Sequence, residues 1–239
     1  METRRVDNLL QVGEQVVIAL CPVIVEGTSQ SDLSKINVSQ TMKTRVLVAS
    51  LLLAIGATSV FAQTTAGTVQ RDVNQQSRIE NGLKDGSLST KEAGRLEKEQ
   101  SNIDRLQAKD LKDGRLSPQE RAQLQKAQNK ASRDIKAAES NGIKGNPESK
   151  SSERMQADVQ RNVNQEKRTE QGIQSGSLTN KEVGNVERGQ ARVDRKEARA
   201  ARDGHVGKKE QAGIQHAENK QSEEIFDMKH NGATRHAKK

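Results

Sequence analysis

The chain has little of what builds a thick core or a reactive site. Its 239 residues include one cysteine, three prolines and two phenylalanines, with no tryptophan or tyrosine. Hydrophobic residues make up 31% of the chain and charged residues 30%, which excludes a large globular core and leaves thin helical packing or partial disorder. The single cysteine, Cys21, lies near the N-terminus, so the chain beyond it has neither a thiol nor a disulfide.

Sequence motifs of the common enzyme classes are missing as well. We find no Gly-x-Ser-x-Gly turn, no glycine-rich phosphate loop and no His-Glu-x-x-His pair. A chain with so few large apolar side chains also has difficulty forming the dry, preorganised pocket that catalysis requires. We therefore expect a protein that is not an enzyme and that carries no cofactor.

A segment that begins at Met42 has the layout of a signal peptide. Lys43 and Arg45 form a basic start, an apolar stretch covers residues 46–55, and Ala62 ends a Val-Phe-Ala sequence typical of a cleavage site. The apolar stretch is too short to cross about 30 Å of hydrocarbon, which takes about 20 residues. We predict a signal peptide at 42–62, cleavage near Ala62, a periplasmic or extracellular location and no membrane span in the mature chain.

Residues 1–41 precede this predicted signal peptide, although a signal peptide belongs at the N-terminus of a precursor. We interpret them as a leader translated from a start codon assigned too early. The alternative is a genuine, disordered extension. The formal net charge of the whole chain is +8.

The mature chain is a tandem duplication. Residues 69–142 align with residues 159–232 without a gap at an offset of 90, and 32 of the 74 aligned positions are identical. Such repetition fixes the number of units. We predict a first unit at 63–142, a flexible linker at 143–158 whose Gly-Asn-Pro-Glu-Ser stretch breaks any helix, a second unit at 159–232 and a basic tail at 233–239.

Each unit contains a short motif that ends one helix and begins the next. In the first copy, Gly86 accepts the conformation that stops a helix, Leu88 fills the turn, and Ser89 with Glu92 forms a capping box. In the best copy, Ser117 caps the next helix and proline stands at the first helical position. Apolar residues between the motifs recur at helical spacing. The pattern predicts an all-α protein of two tandem three-helix units, hairpin-like or coiled-coil-like, with helices near 69–84, 90–112 and 118–139 and copies 90 residues later. We expect the two units to unfold nearly independently.

The string from Arg78 to Ala93, with its copy from Arg168, resembles the repeat of a family of small exported bacterial proteins. The resemblance covers both units. It implies a helical-repeat fold and export, and it implies no activity, because that family has no assigned one.

Calcium is the one cation that the turn motif suggests. Its glycine and glutamate match the second half of an EF-hand loop, which makes candidate ligands of Asn81, Asp85, Ser89 and Glu92. Leu83 stands where that loop needs a third ligand, and the other copies match less well. Capping alone explains all copies, so weak binding of divalent cations is the alternative to a purely structural motif.

Charge and histidine placement bear on the partner. Lys and Arg alternate with Glu and Asp, as in Glu97-Lys98-Glu99, and aromatic residues for base stacking are nearly missing, so we expect no nucleic acid partner. Positive charge gathers only at 192–202 and 235–239. The four histidines are scattered along the second half without a shared spacing, which does not favour a soft-metal site. The sequence thus predicts an exported, non-enzymatic protein that binds an unknown protein or another partner in the cell envelope.

Overall fold

A computed structural model describes residues 64–233. The predictions for 1–41, for the signal peptide at 42–62 and for the end of the basic tail fall outside these residues. Six α-helices and one short 3-10 turn form the described part, which contains no strand, so the all-α prediction is confirmed. The helices are α1 Thr65–Asp85, α2 Thr90–Asp110, α3 Pro118–Ser140, α4 Lys150–Ser175, α5 Asn180–Ala200 and α6 Lys208–His230, with the 3-10 turn at Ala201–Asp203.

The turn motif behaves as the sequence predicts. Gly86 has φ 74° at the end of α1, and the Leu88 amide donates to the Gly82 carbonyl at 2.8 Å, which closes the turn over a buried leucine side chain. Ser89 and Glu92 form a complete capping box at the start of α2. These bonds join residues at most six apart, which is why a local sequence pattern predicts them.

The predicted linker at 143–158 is wrong at its C-terminal boundary. Helix α4 begins at Lys150, capped by the Ser149 side chain, so residues 150–158 are helical and Met155 is fully buried. The remaining connection is tied to the first hairpin, because the Gly145 amide donates to the Gly86 carbonyl at 2.9 Å. A Cβ at Gly145 would lie 2.2 Å from the Leu88 carbonyl oxygen, so only glycine allows this close approach.

The helices of the two units pair with each other. Helix α1 packs on α4, and α2 packs on α5, while α3 and α6 each cover their own unit's hairpin. Gly94 of α2 contacts Ala201 after the C-terminus of α5, and Gly184 near the N-terminus of α5 contacts Leu111 after α2, so these two helices run antiparallel. A Cβ at Gly94 would lie 2.5 Å from the Ala201 Cβ and one at Gly184 would lie 3.0 Å from the Leu111 Cβ, so both glycines permit a close approach of the two helices.

The core is shared between the units. One apolar cluster joins Ile79, Leu83 and Leu96 of the first unit to Met155 and Val193 of the second. We call α1, α2, α4 and α5 the four central helices. A smaller cluster at their other end joins Val69 and Leu111 to Ile173, Leu178 and Val183. The structure therefore contradicts the expectation of two units with separate cores. No described helix has the length and hydrophobicity needed to cross a membrane.

Candidate functional site

The inner faces of the four central helices are polar between the two apolar clusters. On α2 the polar positions recur at intervals of three and four residues, the spacing of a coiled-coil seam, and α5 repeats them at an offset of 90. All of these side chains are buried: Glu97, Gln100, Asp104 and Gln107 on α2, and Glu187, Gln190, Asp194 and Glu197 on α5. The seam therefore carries acids and amides where a coiled coil carries aliphatic residues.

Three of these residues form the first carboxylate cluster, which we define as Glu97, Asp194 and Glu197. One oxygen atom of each carboxyl group lies within 4.8 Å of one oxygen atom of the other two. Each residue is 0% exposed. Asp194 and Glu197 are three residues apart on α5, which places them on the same face, and the antiparallel pairing with α2 brings Glu97 to them.

Side-chain amides hold this cluster together. Gln76 Nε2 donates to Glu97 Oε2 at 2.9 Å, Gln190 Nε2 donates to Asp194 Oδ1 at 3.0 Å, and Asn162 Nδ2 reaches both Glu197 oxygens at 3.0 and 2.8 Å. Glu97 Oε1 and Asp194 Oδ2 have no hydrogen-bond partner although they are buried. A neighbouring carboxyl is within reach to donate to each group when it carries a proton, Glu197 to Glu97 and Asp104 to Asp194.

A second carboxylate cluster consists of Asp72, Asp104, Glu166 and Glu187, which lie close enough for their charges to act on one another and on Asp194 of the first cluster. Gln107 and Gln128 donate to Asp72, the latter at 2.8 Å. Both oxygens of Glu187, one of Glu166 and one of Asp104 are buried without a partner. The second cluster therefore has more free oxygens than the first.

Burial controls the protonation of both clusters. It raises the pKa of Asp72 and of Asp194 to about 7. Hydrogen bonds with two glutamine amides partly oppose the rise in the pKa of Asp72, and hydrogen bonds with the Asp104 carboxyl and the Gln190 amide partly oppose it for Asp194. Burial, and then the charge of Asp194 beside each group, holds the pKa of Glu97 and of Asp104 well above the usual range. Among residues 64–233, none of the seven clustered carboxyls forms an ion pair with a lysine, arginine or histidine within 4.0 Å.

The buried polar side chains have too few hydrogen-bond donors for their acceptors. Within the described part of the chain, nineteen buried side-chain nitrogen or oxygen atoms lack a hydrogen-bond partner, and all nineteen are oxygens. Buried polar atoms are normally paired, because each unpaired one costs about 1–3 kcal/mol. Three kinds of species can satisfy such oxygens: protons on the carboxyls, cations bound between them, and buried water.

The candidate calcium ligands from the sequence take structural roles. Glu92 accepts bonds from Ser89 at Oε2 and from the Asn141 amide at Oε1, at 2.6 Å, so both of its oxygens are engaged. Asp85 accepts from the Ser87 amide at 2.8 Å, and Asn81 is exposed on α1. The geometry brings Ser89 and Glu92 together as a helix cap. Calcium binding in this turn stays a prediction without geometric support.

Sequence reasoning missed the carboxylate clusters. It treated Glu97 as part of an alternating, solvated run, whereas the structure buries Glu97 and exposes Lys98. A signal was present: Glu97, Gln100 and Asp104 are identical in both repeats at Glu187, Gln190 and Asp194, and they occupy seam spacing between apolar ends. Surface positions would not need the same acid at the same seam position in both copies.

Comparison with known proteins adds no relative. No family model matches the chain, and neither a curated protein nor a solved structure matches it. The resemblance to exported helical-repeat proteins stays a prediction, and the functional argument depends on the carboxylate clusters.

Proposed function

We propose that the protein binds a hard divalent cation, of the calcium or manganese class, between Glu97, Asp194 and Glu197. The observation that carries the proposal is the geometry of this first cluster: three fully buried carboxylates converge within 4.8 Å, and none of them forms an ion pair with a basic side chain of residues 64–233. A cation between them would replace repulsion with attraction in a medium of low dielectric constant.

The ligand chemistry selects the class of cation. Oxygen ligands favour calcium, magnesium and manganese, whereas zinc, copper and nickel prefer imidazole or sulfur, which the cluster lacks. Calcium takes six to eight oxygens and accepts amide carbonyls among them. Gln76, Asn162 and Gln190, which already contact the carboxylates, each have a buried amide oxygen without a partner. Their NH₂ groups face the carboxylates, so each amide would have to turn over before its oxygen could join the three carboxylates in a set of six ligands.

The proposal retains the hypothesis of a non-enzymatic binding protein in the cell envelope. It replaces the alternative of cation binding in the turns with cation binding at a different site. The ligands come from the interior of the bundle and not from the turns. Because the site is fully buried, we expect the cation to enter only when the helices open, so loading should be slow. Binding also requires ionised carboxylates, so the affinity should rise with pH as protons are displaced.

The test is a titration of the EDTA-treated full chain with Mn²⁺, followed by electron paramagnetic resonance, and with Ca²⁺, followed by calorimetry. We expect a dissociation constant in the micromolar range, proton release on binding and a thermal stabilisation of about 2.7 kcal/mol at a hundred times the dissociation constant. The double variant Glu97→Gln/Glu197→Gln should weaken binding at least tenfold while keeping the size of both side chains.

Two controls separate this site from the rest of the protein. The exposed pair Glu148→Gln/Glu223→Gln removes the same charge and should leave the affinity unchanged. Asp85→Asn tests the turn hypothesis and should also have no effect. Binding that is lost with Asp85→Asn and kept in the interior double variant would refute the proposal, as would no binding of either Mn²⁺ or Ca²⁺ at millimolar concentration.

A further inference from the structure

The outer faces of α2 and α5 form a groove whose charged lining is entirely basic, with a volume of about 560 Å³. Helix α2 contributes Lys91, Arg95, Lys98 and Arg105. The α5 side contributes Arg195 and Arg199, with Arg202 from the 3-10 turn. This surface is separate from the carboxylate clusters, which lie on the inner faces of the same helices.

The basic side chains of the groove are largely uncompensated. Arg95 reaches Glu92 at 3.8 Å, and the other six make no ion pair within 4.0 Å in the described part of the chain. Arg105 is held in place by its own helix, because its Nε donates to the Ser101 carbonyl at 3.2 Å. A single sign of charge along a concave surface focuses the field and attracts anions.

Helical geometry produces this groove from a sequence in which the charges alternate. Around Lys98, the chain buries Glu97 against α5 and turns Glu99 toward Lys130 of α3, at 2.8 Å, so only the lysine faces the groove. The floor is made of small residues, Gly94, Ser101 and Ala198. A Cβ at Gly94 would lie 2.5 Å from the Ala201 Cβ, so the glycine lets the two basic rows approach each other.

We infer that this groove binds a linear phosphate polymer. Arginine and lysine donate to phosphate oxygens, and arginine does so through a planar fork that fits two oxygens at once. From Lys91 to Arg105 the groove follows α2 for about 20 Å, at about 1.5 Å per residue, which suits an extended chain. Phe226, on α6, is the only Phe, Tyr or Trp ring in residues 64–233, so the groove offers bases no stacking surface. A flat membrane would not fill a concave site.

The experiment measures binding of a labelled polyphosphate of about fifteen units to the full chain by fluorescence anisotropy, at 50 and 200 mM salt. The variant Arg95→Gln/Arg199→Gln/Arg202→Gln should weaken binding about tenfold and reduce the salt dependence of the affinity. The matched control is Lys126→Gln/Arg133→Gln/Lys136→Gln, which removes three exposed charges from α3 and should change the affinity less than twofold. Ala198→Glu, which keeps every basic residue and places a carboxylate in the groove floor, should also weaken binding.

Circular dichroism of each variant shows whether it is folded. If the triple variant of the groove does not fold, the polyphosphate affinity of Ala198→Glu tests the inference instead. Equal losses in the groove and control variants would mean general charge attraction and would overturn the inference. Tighter binding of a single-stranded oligonucleotide with the same number of phosphates would assign the groove to nucleic acid instead. Tighter binding to vesicles with anionic headgroups would assign it to a membrane surface. The Glu97→Gln/Glu197→Gln variant should bind polyphosphate normally, which separates this inference from the proposed cation site.

Discussion

The two carboxylate clusters are built from equivalent positions of the duplication, and they differ in their hydrogen-bond donors. In the first cluster, the amides of Gln76 and Asn162 support Glu97 and Glu197. At the positions 90 residues away, the second cluster has Glu166 and Asp72. Two donors have therefore been replaced by two acids.

The comparison shows what allows carboxylates to converge inside a protein. Amide donors offset part of the repulsion and the desolvation cost, which lets three carboxylates converge within 4.8 Å in the first cluster. The second cluster contains more acid and fewer donors, and both Glu187 oxygens remain unpaired. The first cluster is therefore the better preorganised cation site, and the second cluster makes the larger unfavourable electrostatic contribution to the stability of the folded state.

The largest expected effect comes from expressing the two halves of the chain separately, because each carboxylate cluster takes residues from both halves. Expressed alone, residues 64–148 and 149–233 should each show low helicity and no cooperative melt, and mixing them should restore both. In an isolated half, each large aliphatic side chain of the shared core would lose about 1.5–3 kcal/mol of burial free energy. The whole free energy of unfolding of a protein is typically about 5–15 kcal/mol.

Circular dichroism melts of the two fragments, of their mixture and of residues 64–233 as the intact control provide the measurement. Cooperative melting of each isolated half at the temperature of the intact chain would show that the halves have independent cores after all.

The next effect is the pH dependence of stability in EDTA. Burial raises the pKa of Asp72 and Asp194 to about 7, above the usual value of 3.8, so the folded state binds protons more tightly than the unfolded state. The resulting stability is fully present below about pH 4 and is lost as the pH rises through 7. We expect the free energy of unfolding to be lower at pH 8 than at pH 5 by at least about 2 kcal/mol, since each tenfold change in proton affinity is worth about 1.4 kcal/mol.

Urea unfolding at a series of pH values measures this slope. The double variant Asp72→Asn/Asp194→Asn removes one carboxyl from each cluster and should flatten it. A stability that rises between pH 5 and pH 8 would contradict the buried, proton-linked state of both clusters.

The smallest effect distinguishes the clusters directly. At pH 8 in EDTA, Glu187→Gln should stabilise the protein by about 1–2 kcal/mol, because it removes a buried charge whose two oxygens have no partner. Glu197→Gln should stabilise it less or destabilise it, because the new amide would place an NH₂ group against the NH₂ of Asn162.

Chemical unfolding of both variants beside the wild type gives the two free energies. Equal stabilisation by the two substitutions would mean that the amide donors of the first cluster do not matter. Mn²⁺ should widen the difference, because the Glu187 variant keeps the proposed site and only the Glu197 variant loses one of its ligands.

Much of the local structure could be predicted from the sequence. The starts of α2 and α3 fall where Ser89 and Ser117 were expected to cap them, and the turn after α1 ends at Gly86 as predicted. The early start of α4 was missed because the repeat alignment begins only at Val159. None of the candidate site residues taken from the turns lies in the carboxylate clusters, because the turn motif reports caps and says nothing about helix interiors.

The sequence by itself therefore determined the duplication, the helices and their caps, because a cap or a turn is decided by hydrogen bonds between residues a few positions apart. Only the tertiary structure decided that α2 pairs with α5 and α1 with α4, which turns Glu97 inward and Lys98 outward and brings Asp104 beside Asp194 from ninety residues away. Local patterns do not encode these pairings, because the hydrophobic effect that drives them is non-directional and each amphipathic helix can bury its face against several partners.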